Sequence, residues 1–212
     1  MYDNIVSLGY NCEVSFRIKD FMKEQGRSFD SYLYSWVYIT NRFLMLDSIE
    51  NFDLVLSGDL KLLPWGMVRC EKTAMDFHMR NKQLWDDMGN IKPREYQEAL
   101  TELKSRVSHL KMKTAQLIGG RGKTLFLIKV RHEKDENDCE FVKLLYELLL
   151  KRYVNGAFKL VCVFEQGAMS ATIDSLQTDK LNIRYVEKFA EDANTEKGGD
   201  IQGWKEILQE FS

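Results

Sequence analysis

The sequence predicts an α/β fold: a three-layer, Rossmann-like arrangement with a mostly parallel sheet, helices on both faces and an irregular insertion. Two observations lead there. From residue 94 onward, helical and strand-like segments alternate, a pattern that calls for parallel strands joined by right-handed crossovers. A short buried strand, Asn4-Ile5-Val6-Ser7-Leu8, opens the chain and is expected to join the same sheet.

Each element has its own signal. Gly9 stops the first strand, a helix is expected from about Cys12 to Gln25, and Gly26 ends it. Residues 31–52 are rich in aromatics (Tyr32, Tyr34, Trp36, Tyr38, Phe43, Phe52) and read as one or two helices packed on the core. The stretch 57–92, with Gly58, Pro64, Gly66 and Gly89, reads as loops with short strands, able to act as a lid. Residues 94–116 form the clearest helix, with Tyr96, Ala99, Leu100, Leu103, Val107 and Leu110 at helical spacing. A strand (125–130), a helix (139–153), a strand (158–164), a weaker helix (170–177) and a last strand (183–186) follow. Gly198-Gly199 then marks a turn before a short helix starting near Trp204. The reading is one domain over 1–212, with the insertion at about 53–93.

Composition narrows the function. The 212 residues, 44% hydrophobic and 29% charged, are enough to bury a sizeable core. A formal charge of -2 leaves no electrostatic footprint for nucleic acid or an anionic membrane. The four cysteines, Cys12, Cys70, Cys139 and Cys162, show no paired spacing and read as reduced thiols. Met1-Tyr2-Asp3-Asn4 lacks a signal-peptide pattern, and no apolar run approaches the ~20 residues that span a bilayer. A cytoplasmic protein is expected, with a small-molecule or peptide substrate, no nucleic-acid or membrane partner, no cofactor and no metal. Oligomeric state is left open.

In an open parallel sheet, ligands bind at the carboxyl ends of the strands. Those ends are Gly9-Tyr10-Asn11-Cys12, Arg131-His132-Glu133 and Glu165-Gln166-Gly167. Gly9, Asn11, Arg131, His132 and Glu165 are therefore candidate substrate contacts. Cys12 falls at a strand-to-helix turn, where the helix dipole is expected to favour a thiolate. Taken alone, Cys12 equally reads as a small apolar residue packed at a tight turn. Cys70, Cys139 and Cys162 read as structural.

The segment Val6-Ser7-Leu8-Gly9-Tyr10-Asn11-Cys12, followed by a helix and then Phe29-Asp30, resembles the opening of a bacterial family of unknown function described as papain-like cysteine peptidases. That pattern runs Ser-Leu-Gly-x-x-Cys, a helix, a Pro-Phe-Asp-Trp box and a later His beside an aromatic. A strand ending in Val-Arg follows, after a helix rich in basic residues. Phe77-His78 and the strand from Leu125 to Arg131 match, so the resemblance covers about residues 4–164. The box is reduced to Ser28-Phe29-Asp30-Ser31, and Met79 stands where the pattern often has an acid.

The resemblance implies a cysteine-dependent hydrolase of amide or ester bonds: Cys12 as nucleophile, His78 as its base and Asp30 orienting the imidazole. Backbone N–H groups near Cys12 would hold the developing oxyanion. It also implies a papain-like α+β fold, an alternative to the Rossmann-like reading. His132, at a strand end, is the partner that geometry alone prefers for Cys12. His109 reads as a surface residue of the long helix.

Other motifs fall away. Gly119-Gly120-Arg121-Gly122-Lys123-Thr124 follows a helix and precedes a strand, the reverse of a phosphate-binding loop, and Leu117 replaces the required glycine. Asp135-Glu136-Asn137-Asp138 lacks calcium-loop spacing and reads as a helix-capping loop. Two further readings stand beside the hydrolase. One is a glycan- or nucleotide-related enzyme binding through Arg131 and Glu165. The other is a non-catalytic binding domain with Cys12 buried.

Overall fold

A computed structural model describes residues 2–79, 84–132, 137–154 and 156–211. Four apolar runs become the parallel sheet: β1 (Asn4–Ser7), β6 (Thr124–Lys129), β7 (Phe158–Glu165) and β8 (Leu181–Val186). They lie in the order β1-β6-β7-β8, all parallel, with Asn4 opposite Thr124 and Leu160 opposite Leu181. Strand alternation sends Ile5, Leu125, Leu127, Val161 and Val163 to one face and Val6, Phe126, Ile128, Leu160 and Cys162 to the other. On the first face pack α1 (Glu13–Glu24) and α6 (Ile201–Glu210), through Val14, Ile18, Phe21, Trp204 and Leu208. On the second pack α4 (Asp138–Arg152), through Phe141, Val142 and Leu145, and the single-turn α5 (Ala171–Asp174), through Ile173. The chain is thus α/β, with a parallel sheet between helical layers.

The aromatic stretch differs from expectation. Residues 31–52 hold one helix, α2 (Arg42–Glu50), and before it a strand, β2 (Val37–Ile39). Asn41 explains the late start: its side chain accepts from the N–H groups of Phe43 and Leu44 at 3.0 and 3.1 Å, capping the helix there. Upstream, Val37 and Ile39 alternate inward with Tyr38 between them, a strand pattern that aromatic richness masks. Within 57–92 lie three more strands, β3 (Leu60–Leu62), β4 (Met67–Cys70) and β5 (Met75–His78). With β2 they form a second, antiparallel sheet in the order β2-β5-β4-β3. The expected irregular insertion is therefore an ordered sheet that begins nearer residue 37 than 53.

Both sheets share one core. Val37, Ile39, Val68, Met75 and Phe77 belong to the same buried cluster as Phe126, Ile128 and Phe164. The long helix α3 (Pro93–Gly119) closes that cluster with Ala99, Leu103 and Val107. Pro93 sits in its first turn, where no backbone donor is lost. Among the described residues, no helix is long and apolar enough to cross a membrane.

Candidate active site

The strand order contains no reversal, so the parallel sheet offers no switch-point crevice of the usual kind. The second sheet supplies the missing wall. It stands over the carboxyl end of β1, where one backbone bond ties the two: the Ile39 N–H donates to Tyr10 O at 2.8 Å.

The turn from β1 to α1 is tightly constrained. Gly9 has φ +90, and a Cβ there would lie 2.7 Å from Ile39 Cδ1 and 3.3 Å from Tyr34 O. Tyr10 follows at φ 80, a left-handed conformation that costs a non-glycine residue about 1–3 kcal/mol. Asn11 then braces the turn just before the helix cap, its side-chain oxygen accepting the Glu13 N–H at 3.0 Å. This geometry presents Cys12 at the first turn of α1, half-buried and facing the second sheet.

Opposite it stands His78, the last residue of β5. Cys12 Sγ lies 3.8 Å from His78 Nε2. Both line a cleft of about 750 Å³ whose walls include Asn11, Tyr38, Arg69, Asp76 and Asp192, with the exposed Trp65 at its side. Burial pushes the Cys12 thiol up to about 11, overriding the thiolate that the helix dipole was expected to favour. No side-chain cap bond holds a thiolate at this position. His78 is lowered below the ordinary 6.5, first by desolvation and then by the Arg106 guanidinium, with Asp76 opposing. At neutral pH the pair is therefore a neutral thiol beside a neutral imidazole.

The other candidates have separate fates. Asp30 is not at His78: its carboxylate accepts from Lys113 Nζ at 2.7 Å, on the wall of a different cavity with Asp3 and Asn4. The carboxylate that acts on His78 is Asp76, two residues earlier and therefore on the same face of β5. Arg69 holds Asp76 in a bidentate pair at 2.7 and 2.8 Å, with Asp76 buried at the cleft wall. His132, preferred by sequence geometry, is bound by Asp138 Oδ2 through Nδ1 at 2.6 Å, beside the buried Arg42. Its strand end leads away from β1 toward α4. Glu165 accepts the Phe189 N–H at 2.7 Å and so braces a loop. Arg131 bonds the Tyr10 side chain and lies near Asp192. Glu133, Asp135 and Glu136 lie outside the described residues.

Beneath Cys12 lies a buried ionic cluster with no counterpart among the expected site residues. Glu13 is fully buried, with Lys129 Nζ at 2.8 Å and Arg17 Nη2 at 3.6 Å. The Glu13 carboxylate also accepts from the Ala190 N–H at 3.1 Å and Trp204 Nε1 at 3.2 Å. Arg17 in turn donates to Glu196 O at 2.7 Å and to Gly198 O. The cluster thus clamps residues 190–198 to the first turn of α1, and that loop brings Asp192 and Thr195 into the cleft. Gly199 closes the clamp at φ +75, where a Cβ would meet Ala190 N at 2.5 Å and Glu13 Oε1 at 2.9 Å. One sequence signal was present: Lys129 is a lone cation inside the apolar run from Leu125 to Val130.

Among the described residues, no group of three or more His, Cys, Asp or Glu is placed to hold a metal ion. Comparison of the chain with protein-family models, with curated protein sequences and with solved structures gives no match.

Proposed function

We propose that the chain is a cysteine-dependent hydrolase of amide or ester bonds, with Cys12 as nucleophile and His78 as general base and acid. One observation carries the reading. Two side chains 66 positions apart, one at the start of α1 and one at the end of β5, meet at 3.8 Å on the wall of an open cleft. Strain at Tyr10 in the turn before Cys12 supports it, since such strain clusters at active sites.

With thiol and imidazole both neutral, the proton moves as the bond forms. Cys12 Sγ attacks the carbonyl carbon while His78 Nε2 takes the thiol proton. The oxyanion develops at the positive end of the α1 dipole, and the resulting tetrahedral species collapses as His78 protonates the leaving group. Water then attacks the thioester, His78 takes its proton, and the sulfur leaves and is reprotonated. Asp76 supports the imidazolium at each stage through its field, both its oxygens being held by Arg69.

The reading extends to the scaffold and the setting. The parallel layer is Rossmann-like in having helices on both faces and the nucleophile at a strand carboxyl end. Four free thiols, Cys12 among them, suit a reducing cytoplasm, and the cleft suits a small molecule or peptide. A ligand site on Arg131 and Glu165 has less support, because Glu165 already accepts a backbone N–H.

Incubation with p-nitrophenyl acetate, followed by peptide mass mapping, tests the assignment. An acetyl group on Cys12, formed at least ~100-fold more slowly in His78→Ala, is the expected result. Acetylation of Cys12 no faster than that of Cys139, or indifferent to His78→Ala, would sink the assignment.

A further inference from the structure

A second cavity adjoins the first. It measures about 420 Å³ and is walled by Leu33, Trp36, Val37, Phe77, Val107 and Leu110. This is within the range of small-ligand sites, and its walls are mainly aliphatic and aromatic side chains. Among the described residues, His78 is the one that lines both spaces. Arg106 fixes it there, its guanidinium donating to the His78 carbonyl from α3.

We propose that His78 divides the substrate: the acyl half occupies the cleft on the Cys12 side, and the leaving group, an amine with a large apolar side chain, occupies the cavity beyond. The assignment of sides rests on the Cys–His reading and on one chemical requirement. The group that protonates a leaving amine must face that amine, whereas the acyl carbon must face the sulfur. Cys12 lines the first cleft and not the second cavity, so the acyl group belongs in the first, among Asn11, Thr40, Asp192 and Thr195. The adjoining space, which shares His78 with the cleft, is left to the departing group. Its apolar walls select a peptide or amide with a bulky aliphatic or aromatic residue after the scissile bond.

Microscopic reversibility makes this measurable without knowing the natural acyl group. In the full-length protein, Cys12 is first acetylated with p-nitrophenyl acetate, and glycinamide, leucinamide or phenylalaninamide is then offered in competition with water. The amine nitrogen attacks the thioester carbonyl and His78 Nε2 takes the amine proton. The carbon–sulfur bond breaks, and the sulfur receives that proton from His78. The three amines are close in basicity, so their capture ratios report the cavity rather than intrinsic reactivity.

Leucinamide and phenylalaninamide are expected to capture the acetyl group at least ~10-fold more efficiently than glycinamide. Leu110→Trp, which fills the cavity from its partly exposed edge, is expected to abolish that preference. Equal capture of the three amines by the unmodified protein would overturn the inference while leaving the Cys–His reading intact. Failure to form acetyl-Cys12 at all would overturn both.

Discussion

Glu13→Gln is the perturbation whose cost follows most directly from the buried cluster. In the native protein one carboxylate faces two cations, Lys129 at 2.8 Å and Arg17 at 3.6 Å, and all three side chains are at most 3% exposed. Glutamine keeps the shape and can still accept from the Ala190 N–H, so what is lost is charge. Two buried cations are then left with no anion between them. Removing one partner of a buried pair typically costs about 3–5 kcal/mol, because the remaining charge stays desolvated. For a chain of this size that corresponds to a fall of roughly 6–20 °C in melting temperature. Lys129→Met should cost much less, because Glu13 and Arg17 remain as a balanced pair. The double variant should be more stable than Glu13→Gln alone, giving a favourable coupling in a double-mutant cycle. Urea and thermal unfolding followed by circular dichroism would supply all the values. A Glu13→Gln variant within about 1 kcal/mol of wild type, or strictly additive effects, would refute the clamp as a source of stability.

Other expectations follow from the same geometry. Hydrolysis should require neutral His78, so activity falls as pH drops through the imidazole pKa, which lies below 6.5. Asp76→Asn should move that acid limb to lower pH and Arg106→Gln to higher pH, matching the signs of their fields; kcat/KM against pH would show either shift. Iodoacetamide should modify Cys12 at a rate that keeps climbing toward about pH 11; a plateau near pH 8.5 would contradict a thiol dominated by burial. Cys70 and Cys162, fully buried, should react only on unfolding, as mass mapping in urea would reveal. Gly9→Ala should destabilise by about 2 kcal/mol or more, since it adds left-handed strain to a 2.7 Å contact with Ile39; an unchanged unfolding midpoint would count against that view of the turn.

The parallel sheet was legible because its strands are continuous apolar runs separated by helical periodicity, a signal that survives without context. The second sheet was not. Its strands are three or four residues long, too short for alternation to outweigh the aromatic content of Tyr32 to Phe43. With 31–52 read as helix and the short strands of 57–92 left unpaired, nothing in the pattern itself could bring His78 to Cys12, and the residues alone favoured His132. Only the resemblance of Ser7–Cys12 and Phe77-His78 to a known opening pointed to the pair now found at 3.8 Å. The same resemblance offered Asp30, which the structure gives to Lys113, while Asp76 went unnoticed because its role depends on sharing a strand face with His78. The Glu13–Lys129 pair was hidden differently. Lys129 stands out as a lone cation in an apolar run, but its partner Glu13, an acid in a first helical turn, is identified only when the two face one another.

The pairing of β1 with β6 has a consequence for how the molecule comes into being. Asn4 cannot meet Thr124 until the intervening chain has been made and has closed on itself, a non-local step of the kind that slows folding. His78 is brought to Cys12 by a sheet stitched to that turn through one Ile39–Tyr10 backbone bond. In a nascent or partly folded chain Cys12 is an ordinary thiol with no imidazole beside it. The Cys–His pair therefore forms only once the second sheet has docked against the turn after β1. Because Val37, Ile39 and Phe77 lie in the core shared by both sheets, packing as well as that one bond holds the pair together.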